Sequence, residues 1–189
     1  MRELADSTDT ATIELLAMEP LAIKHGYNPA LNGNTEGTGS IGGYDKSELK
    51  TYIDTTVWNS IPAAWQEVIK ETKIVSSIYN TEGERIENEV TTAKLRIPSL
   101  GELVAPTTYP AYLRETEGPT YTEFATCHIN LCKRASAVGA INGGYTESWA
   151  TYWTRTPYNT SACVTISSNG VSNSPVNTSS NKIVLAFST

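Results

Sequence analysis

The sequence predicts an α+β fold with a mainly antiparallel sheet. Apolar residues recur at helical spacing early in the chain, at Leu49, Tyr52, Ile53 and Val57, whereas most strand signals come later. Helices followed by runs of strands, without strict β–α alternation, argue for an antiparallel sheet. Size is the third observation. The 189 residues, 39% hydrophobic with four Trp and ten Tyr, suffice for one domain with a sizeable core.

The elements follow in order. Residues 12–18 read as a strand and residues 20–25 as a short turn or helix. Residues 27–43 form a Gly/Asn-rich loop. Asp45-Lys46-Ser47-Glu48 has the capping-box form, a capping side chain with Glu three places on, and opens the first helix. Ser60 and Pro62 open a second helix that carries Trp65, Val68 and Ile69 on one face. Residues 74–79 and 85–92 read as two arms joined by a turn at 80–84. Leu95-Arg96-Ile97-Pro98-Ser99 reads as a short strand opening a helical turn through Leu103, and a Tyr- and Pro-bearing loop runs over 106–119. Residues 128–132 and 149–154 are the next strand candidates. No internal repeat is visible.

The charge distribution splits the chain. Residues 1–117 carry 18 acids against 10 bases; residues 118–189 carry two acids against four bases, so the balance moves from −8 to +2. The overall net charge of −6 argues against gripping nucleic acid through its phosphates. No apolar run approaches the ~18 residues of a membrane span, so no membrane insertion is expected. The start, Met1-Arg2-Glu3-Leu4-Ala5-Asp6, lacks the apolar stretch of a signal peptide and reads as an internal cut. Residues 1–26 accordingly read as the end of a linker, within a single domain spanning 1–189.

Between Thr154 and Asn181, 17 of 28 residues are Ser, Thr or Asn, a composition usually read as disordered. Its apolar residues argue for order. Ala162, Val164 and Ile166 alternate with Cys163, Thr165 and Ser167, which is strand periodicity. Asn169-Gly170 supplies a hairpin turn, Val171 resumes the strand, and Ile183-Val184-Leu185-Ala186-Phe187 reads as a buried terminal strand. On this pattern Val164 and Ile166 face the core, while Thr165 and Ser167 face outward with Tyr158, Asn159, Ser172 and Asn173.

Chemical motifs are few. Gly37-Thr38-Gly39-Ser40-Ile41-Gly42 matches G-x-G-x-x-G, but no strand precedes it, so it reads as a tight loop before a helix cap. Cys127, His128 and Cys132 make a weak zinc signal with no second cluster. The two cysteines face opposite sides of a strand, and the only other His is His25, so neither metal nor thiol chemistry is expected. Three Cys exclude a complete disulfide framework. Glu82, Glu84, Glu87 and Glu89 read as a solvated turn and flank. Ser148-Trp149-Ala150-Thr151-Tyr152-Trp153-Thr154-Arg155-Thr156-Pro157-Tyr158 reads as a strand with an aromatic inner face, ended by Pro157. Arg155 there pairs with a carboxylate or caps backbone carbonyls.

Several of these segments fall in a familiar order. Gly42-Gly43-Tyr44-Asp45-Lys46-Ser47-Glu48-Leu49-Lys50-Thr51-Tyr52 resembles the G-G-W-x-x-S-E-M-R pattern of a domain family of phages, prophages and gut bacteria. Ile61-Pro62-Ala63-Ala64-Trp65, Leu95–Leu103 and Tyr152-Trp153-Thr154-Arg155-Thr156-Pro157 (the last against W-W-L-R-S-P) continue the match. His25-Gly26-Tyr27-Asn28-Pro29 resembles its H-R-M-N-P element. The family lacks an assigned biochemical function. The resemblance implies a C-type-lectin-like fold: two early helices, then a mainly antiparallel sheet with long loops. Formylglycine-generating enzymes share that broad fold, but the cysteines they need are not recognisable here. The C-terminal composition also resembles the variable cassette of proteins diversified by retroelements, in which adenine-rich codons interchange Asn, Ser, Thr and Tyr on a fixed apolar frame.

The expectation is a non-enzymatic, cofactor-free module of a phage tail fibre or related display structure, located on the virion or a bacterial cell surface. Its partner is a bacterial surface protein or glycan, with other virion proteins as neighbours and an oligomer compatible with the reading. The contact residues expected within 154–189 are Tyr158, Asn159, Thr160, Ser161, Thr165, Ser167, Asn169, Ser172, Asn173, Asn177, Ser179 and Asn181. They suit the task because Tyr gives rigid amphipathic area and small polar residues give adaptable hydrogen bonds. Two other classes stay open: an enzyme, either a glycan hydrolase or a lectin-fold oxidase, and a purely structural virion domain. A cleft with perturbed carboxylates or a Cys pair separates the first from a broad polar face.

Overall fold

Three antiparallel sheets and a few short helices make up the computed structural model, which describes residues 2–6, 13–17, 20–29, 40–103, 117, 151–167 and 170–189. The fold is mixed α and β, with the helices early, as the sequence predicts. The first sheet has the order β1-β2-β8, from β1 (Arg2–Asp6), β2 (Ile13–Leu16) and β8 (Ala186–Ser188). The second is a hairpin of β3 (Thr72–Tyr79) and β4 (Arg85–Ala93). The third has the order β5-β6-β7, from β5 (Tyr152–Asn159), β6 (Ala162–Ser167) and β7 (Gly170–Pro175).

The chain's last residues tie these sheets together. Lys182 bridges both Lys24 and Tyr152, Ala186 bridges Arg96, and Ser188 bridges Lys70. The apolar run 183–187 is regular strand only from Ala186, because it serves several partners in turn. Leu185 and Ile183 lend their carbonyls to the Ala17 and Leu21 amides at 2.7 and 2.8 Å, while Arg96 and Ala186 exchange bonds at 2.9 and 2.7 Å. Ile183, Val184 and Leu185 are buried, as expected of a terminal apolar segment in the core.

The helical part is one continuous rod. Helix α1 (Glu48–Tyr52) passes through a π-helical turn, Ile53–Val57, into α2 (Trp58–Ser60). Leu49, Ile53 and Val57 recur every fourth residue and line its buried side. The cap differs from the capping-box expectation. Ser47 is the capping residue, and its Oγ accepts from the Lys50 amide at 3.0 Å. Glu48 gives its own amide to Asn28 Oδ1 at 2.8 Å, so the buried Asn28 of the 25–29 element anchors the helix start. The second helix is a short turn, α3 (Ala63–Gln66). Its expected apolar face divides: Ile69 is buried, whereas Trp65 and Val68 are 44% and 48% exposed. Helix α3 is too short to carry a stripe from Trp65 to Val68, and the Trp65 ring meets Phe187 edge-on at 6.2 Å. Helix α4 (Leu100–Leu103) follows the 95–99 segment, as predicted.

Strand β5 runs through Pro157 instead of ending there. The pairing with β6 steps from Trp153–Thr165 to Pro157–Cys163, so the proline falls in an irregular stretch where no ladder donor is required. There the Arg155 amide turns away from β6 and donates to Pro98 O at 3.0 Å.

The main core gathers Tyr27, Tyr44, Leu49, Ile53, Ile97 and Trp153 with Cys163, Val176 and Phe187. Trp153 is fully buried, its indole Nε1 donates to His25 O at 2.7 Å, and Tyr27 meets it edge-on at 5.8 Å. Glycines at the Gly42-Gly43 corner take φ of +78° and +67°, which lets the chain turn tightly above Ser77 and Ile78. The Gly37 and Gly39 positions, Cys127, His128, Cys132, Trp149, Asn169 and the 128–132 strand expectation lie outside the described residues. Among the described residues no helix is long and apolar enough to cross a membrane.

Candidate functional site

The β5–β6 turn is where the expected contact residues converge. Tyr158, Asn159 and Ser161 are exposed there, and Thr160 is half-buried. Antiparallel register brings Pro175 opposite Ala162, and Val176 N donates to Ser161 O at 3.1 Å, which sets Asn177 beside the same turn. Asn177 and Ser179 are exposed on the loop leaving β7, and Ser172 and Asn173 are exposed along β7 itself. Among the described residues β7 pairs only with β6, so these two side chains stand at a sheet edge.

Three anchors hold this rim. Ser40 N donates to Thr160 O at 3.0 Å, and the Ser40 hydroxyl donates to Asn159 O. Tyr79 OH donates to Tyr158 O at 3.1 Å. Asn159 Oδ1 accepts from both the amide and the hydroxyl of Ser161, at 2.9 and 3.1 Å, a local Asx-type closure of the turn. The β3–β4 turn also lies close, because a Cβ on Gly83 would be 3.6 Å from Thr160 Cγ2. The backbone of the rim is thus tied to two other elements, and Tyr158, Asn159 and Ser161 stay exposed although Asn159 and Ser161 bond to each other.

Two expected contact residues are corrected. Thr165 is fully buried, and Asn181 is 3% exposed. The single-faced strand reading fails at Thr165 because β6 is the central strand of a sheet covered on both faces. Cys163 and Trp153 join the main core on one side, and Val164 and Ile166 are buried on the other. Asn181 is drawn inward because its carbonyl accepts from His25 N at 3.2 Å. Ser167 is half-buried and donates to Gly170 O at 3.1 Å.

Beneath the rim lies a buried ionic network that sequence reading foresaw only at Arg155. Its guanidinium grips Glu102 through Nη1–Oε2 at 2.7 Å and Nη2–Oε1 at 2.6 Å. It also donates to the carbonyls of Val75, Ile97 and Glu117 at 3.1, 3.0 and 3.0 Å. All five guanidinium donors belong to a planar fork suited to such two-point contact. The Glu117 carboxylate accepts from Ser77 N at 3.0 Å and from the Thr156 hydroxyl. Thr156 Oγ1 in turn accepts from Leu100 N at 2.8 Å.

The two carboxyls titrate in opposite senses. Burial works to raise Glu102, but the attached Arg155 outweighs it and holds the carboxyl below the ordinary value of 4.5. Burial raises Glu117 above that value, and the pull of Arg155, Thr156 and Ser77 only partly offsets it. Burial likewise pushes up the Tyr27 and Tyr44 hydroxyls and the Cys163 thiol. Glu102 was visible only as part of a short segment, and nothing local marks Glu117, because both gain their roles from residues some 40 to 50 positions away. No group of three or more His, Cys, Asp or Glu able to hold a metal ion occurs among the described residues.

A family model described as Domain of unknown function (DUF6273) matches residues 22–186. No curated protein and no solved structure matches the chain.

Proposed function

The chain belongs to the DUF6273 family, and from that premise we propose that it is a non-enzymatic binding module whose contact surface is the polar rim around the β5–β6 turn. The exposed members Tyr158, Asn159, Ser161, Ser172, Asn173, Asn177 and Ser179 form that surface. The observation that carries the reading is the separation of the rim from its frame. Exposed polar side chains project from a backbone fixed by Ser40, Tyr79 and Val176, while the intervening Cys163, Val164, Thr165 and Ile166 are buried.

The chemistry supports recognition over catalysis. The rim side chains are uncharged, so covering them incurs little ion desolvation. A pre-ordered backbone reduces the entropy lost on binding. The buried Glu102 and Glu117 are engaged with Arg155, Ser77 and Thr156 beneath the surface, which supports a framework role for them.

The partner in this reading is a bacterial surface protein or glycan, and the setting a phage tail fibre or related surface structure with a C-type-lectin-like domain. The clustering of exposed polar positions at the turn and along β7, apart from the buried β6, suits diversification by a retroelement. The test is a cell-binding assay with the full chain against a panel of bacterial strains. Replacing Tyr158, Asn159, Ser161 and Asn177 together is expected to change which strains are bound. Unchanged strain preference in a folded variant overturns the proposal.

A further inference from the structure

The π-helical turn has a neighbour that the rim reading does not use. Lys50, Asp54 and Trp58, spaced every fourth residue along the rod, form one wall of a groove of about 220 Å³. Glu71, Thr92 and Lys94, before and after the β3–β4 hairpin turn, form the facing wall. Asp54 sits within the π turn itself. Single π turns inside α-helices are rare and frequently fall at functional sites.

The groove arrives already internally paired. Lys50 Nζ lies 2.5 Å from Asp54 Oδ2, Thr92 donates to Glu71 at 3.1 Å, and the Lys94 ammonium rests 4.7 Å from the Trp58 ring centroid. The lining's two ammonium groups and two carboxylates cancel in formal charge, and the Asp45 carboxylate lies outside it, 3.9 Å from Lys50 Nζ. A net ion entering it loses hydration with no opposing field in return. A neutral ligand bearing several hydroxyls fares better. Its hydroxyls donate to Asp54 and Glu71 and accept from Lys50 and Lys94, all charge-assisted bonds. Trp58 supplies an apolar edge for the ring carbons. The volume is below the ~300–1,000 Å³ of sites for drug-sized ligands, which limits the occupant to about one ring.

We propose that this groove binds one neutral, hydroxyl-rich ring of monosaccharide size. The site is separate from the rim and stands or falls without it. The test is an NMR titration of the full chain with methyl glucoside, methyl galactoside and N-acetylglucosamine, with glycine betaine as a zwitterionic and inorganic phosphate as an anionic comparator. At least one neutral sugar is expected to shift the Trp58 indole resonance saturably, with a Kd of about 1 mM for so small a ligand. Asp54→Asn and Lys94→Met each alter an exposed side chain and are expected to leave the fold intact while weakening binding roughly 10-fold. No saturable shift up to about 10 mM, equal affinity in both variants, or a response confined to betaine or phosphate overturns the proposal.

Discussion

Arg155 and Glu102 form a two-point ion pair in the interior, with side chains 1% and 9% exposed and both N–O contacts at or below 2.7 Å. The pair joins β5 to α4, and the same guanidinium reaches β3 through Val75 O. Glu102 closes the arrangement by accepting from Ser99 N at 2.8 Å. Removing one member strands the other's charge in the core, which typically costs ~3–5 kcal/mol. Glu102→Gln is therefore expected to lower stability by about that amount, read from urea unfolding. A loss below about 0.5 kcal/mol, the range of surface substitutions, would show that water reaches the pair.

The opposite shifts of the two carboxyls predict a two-sided pH profile. Glu102 is held below 4.5 in the folded state, so its contribution is present above 4.5 and is lost as pH falls through its folded value. Glu117 is raised, so its favourable contribution belongs to the protonated form at low pH and is lost as pH rises from 4.5 through its folded value. Unfolding midpoints measured across a pH series are expected to lose their rising-pH decline in Glu117→Gln. A decline identical to that of the parent would assign it to other groups.

Trp153 is the largest fully buried side chain among the described residues. Its ring packs against Tyr27 and its indole nitrogen is satisfied by His25 O. Trp153→Ala is expected to cost ~3–5 kcal/mol, as truncation of a large core aromatic does. An unfolding midpoint that does not move would contradict the buried placement.

Rim and frame positions within one short segment are expected to behave oppositely. Single replacements at Ser172, Asn173, Asn177 or Ser179 should each shift stability by no more than about 0.5 kcal/mol. Val164→Asn, one residue away from the equally buried Thr165, places an amide in the core and should cost ~1–3 kcal/mol or more. Thermal unfolding of this set distinguishes the two classes directly, and equal sensitivity at both would show that the rim is itself part of the packing.

Local signals in the chain were sufficient for the helix stripe Leu49-Ile53-Val57, the two arms at 74–79 and 85–92, the existence of strand β6 and the burial of Trp153. Each rests on periodicity or turn chemistry within a few residues, which sequence records directly. The partners of Arg155 were legible only as a class, carboxylate or carbonyl, because a guanidinium in an apolar strand must satisfy its donors.

What the tertiary structure alone decided is which surfaces are covered. Thr165 reads as an outward residue by alternation, yet its face, shared with Cys163 and Trp153, is the one packed into the main core. Asn181 reads as loop, yet His25 draws it in. Glu117 carries no local mark, and only the meeting of β3, α4 and β5 makes it a core carboxyl. Periodicity specifies which residues share a face of a strand, but whether that face meets solvent depends on elements distant in the chain.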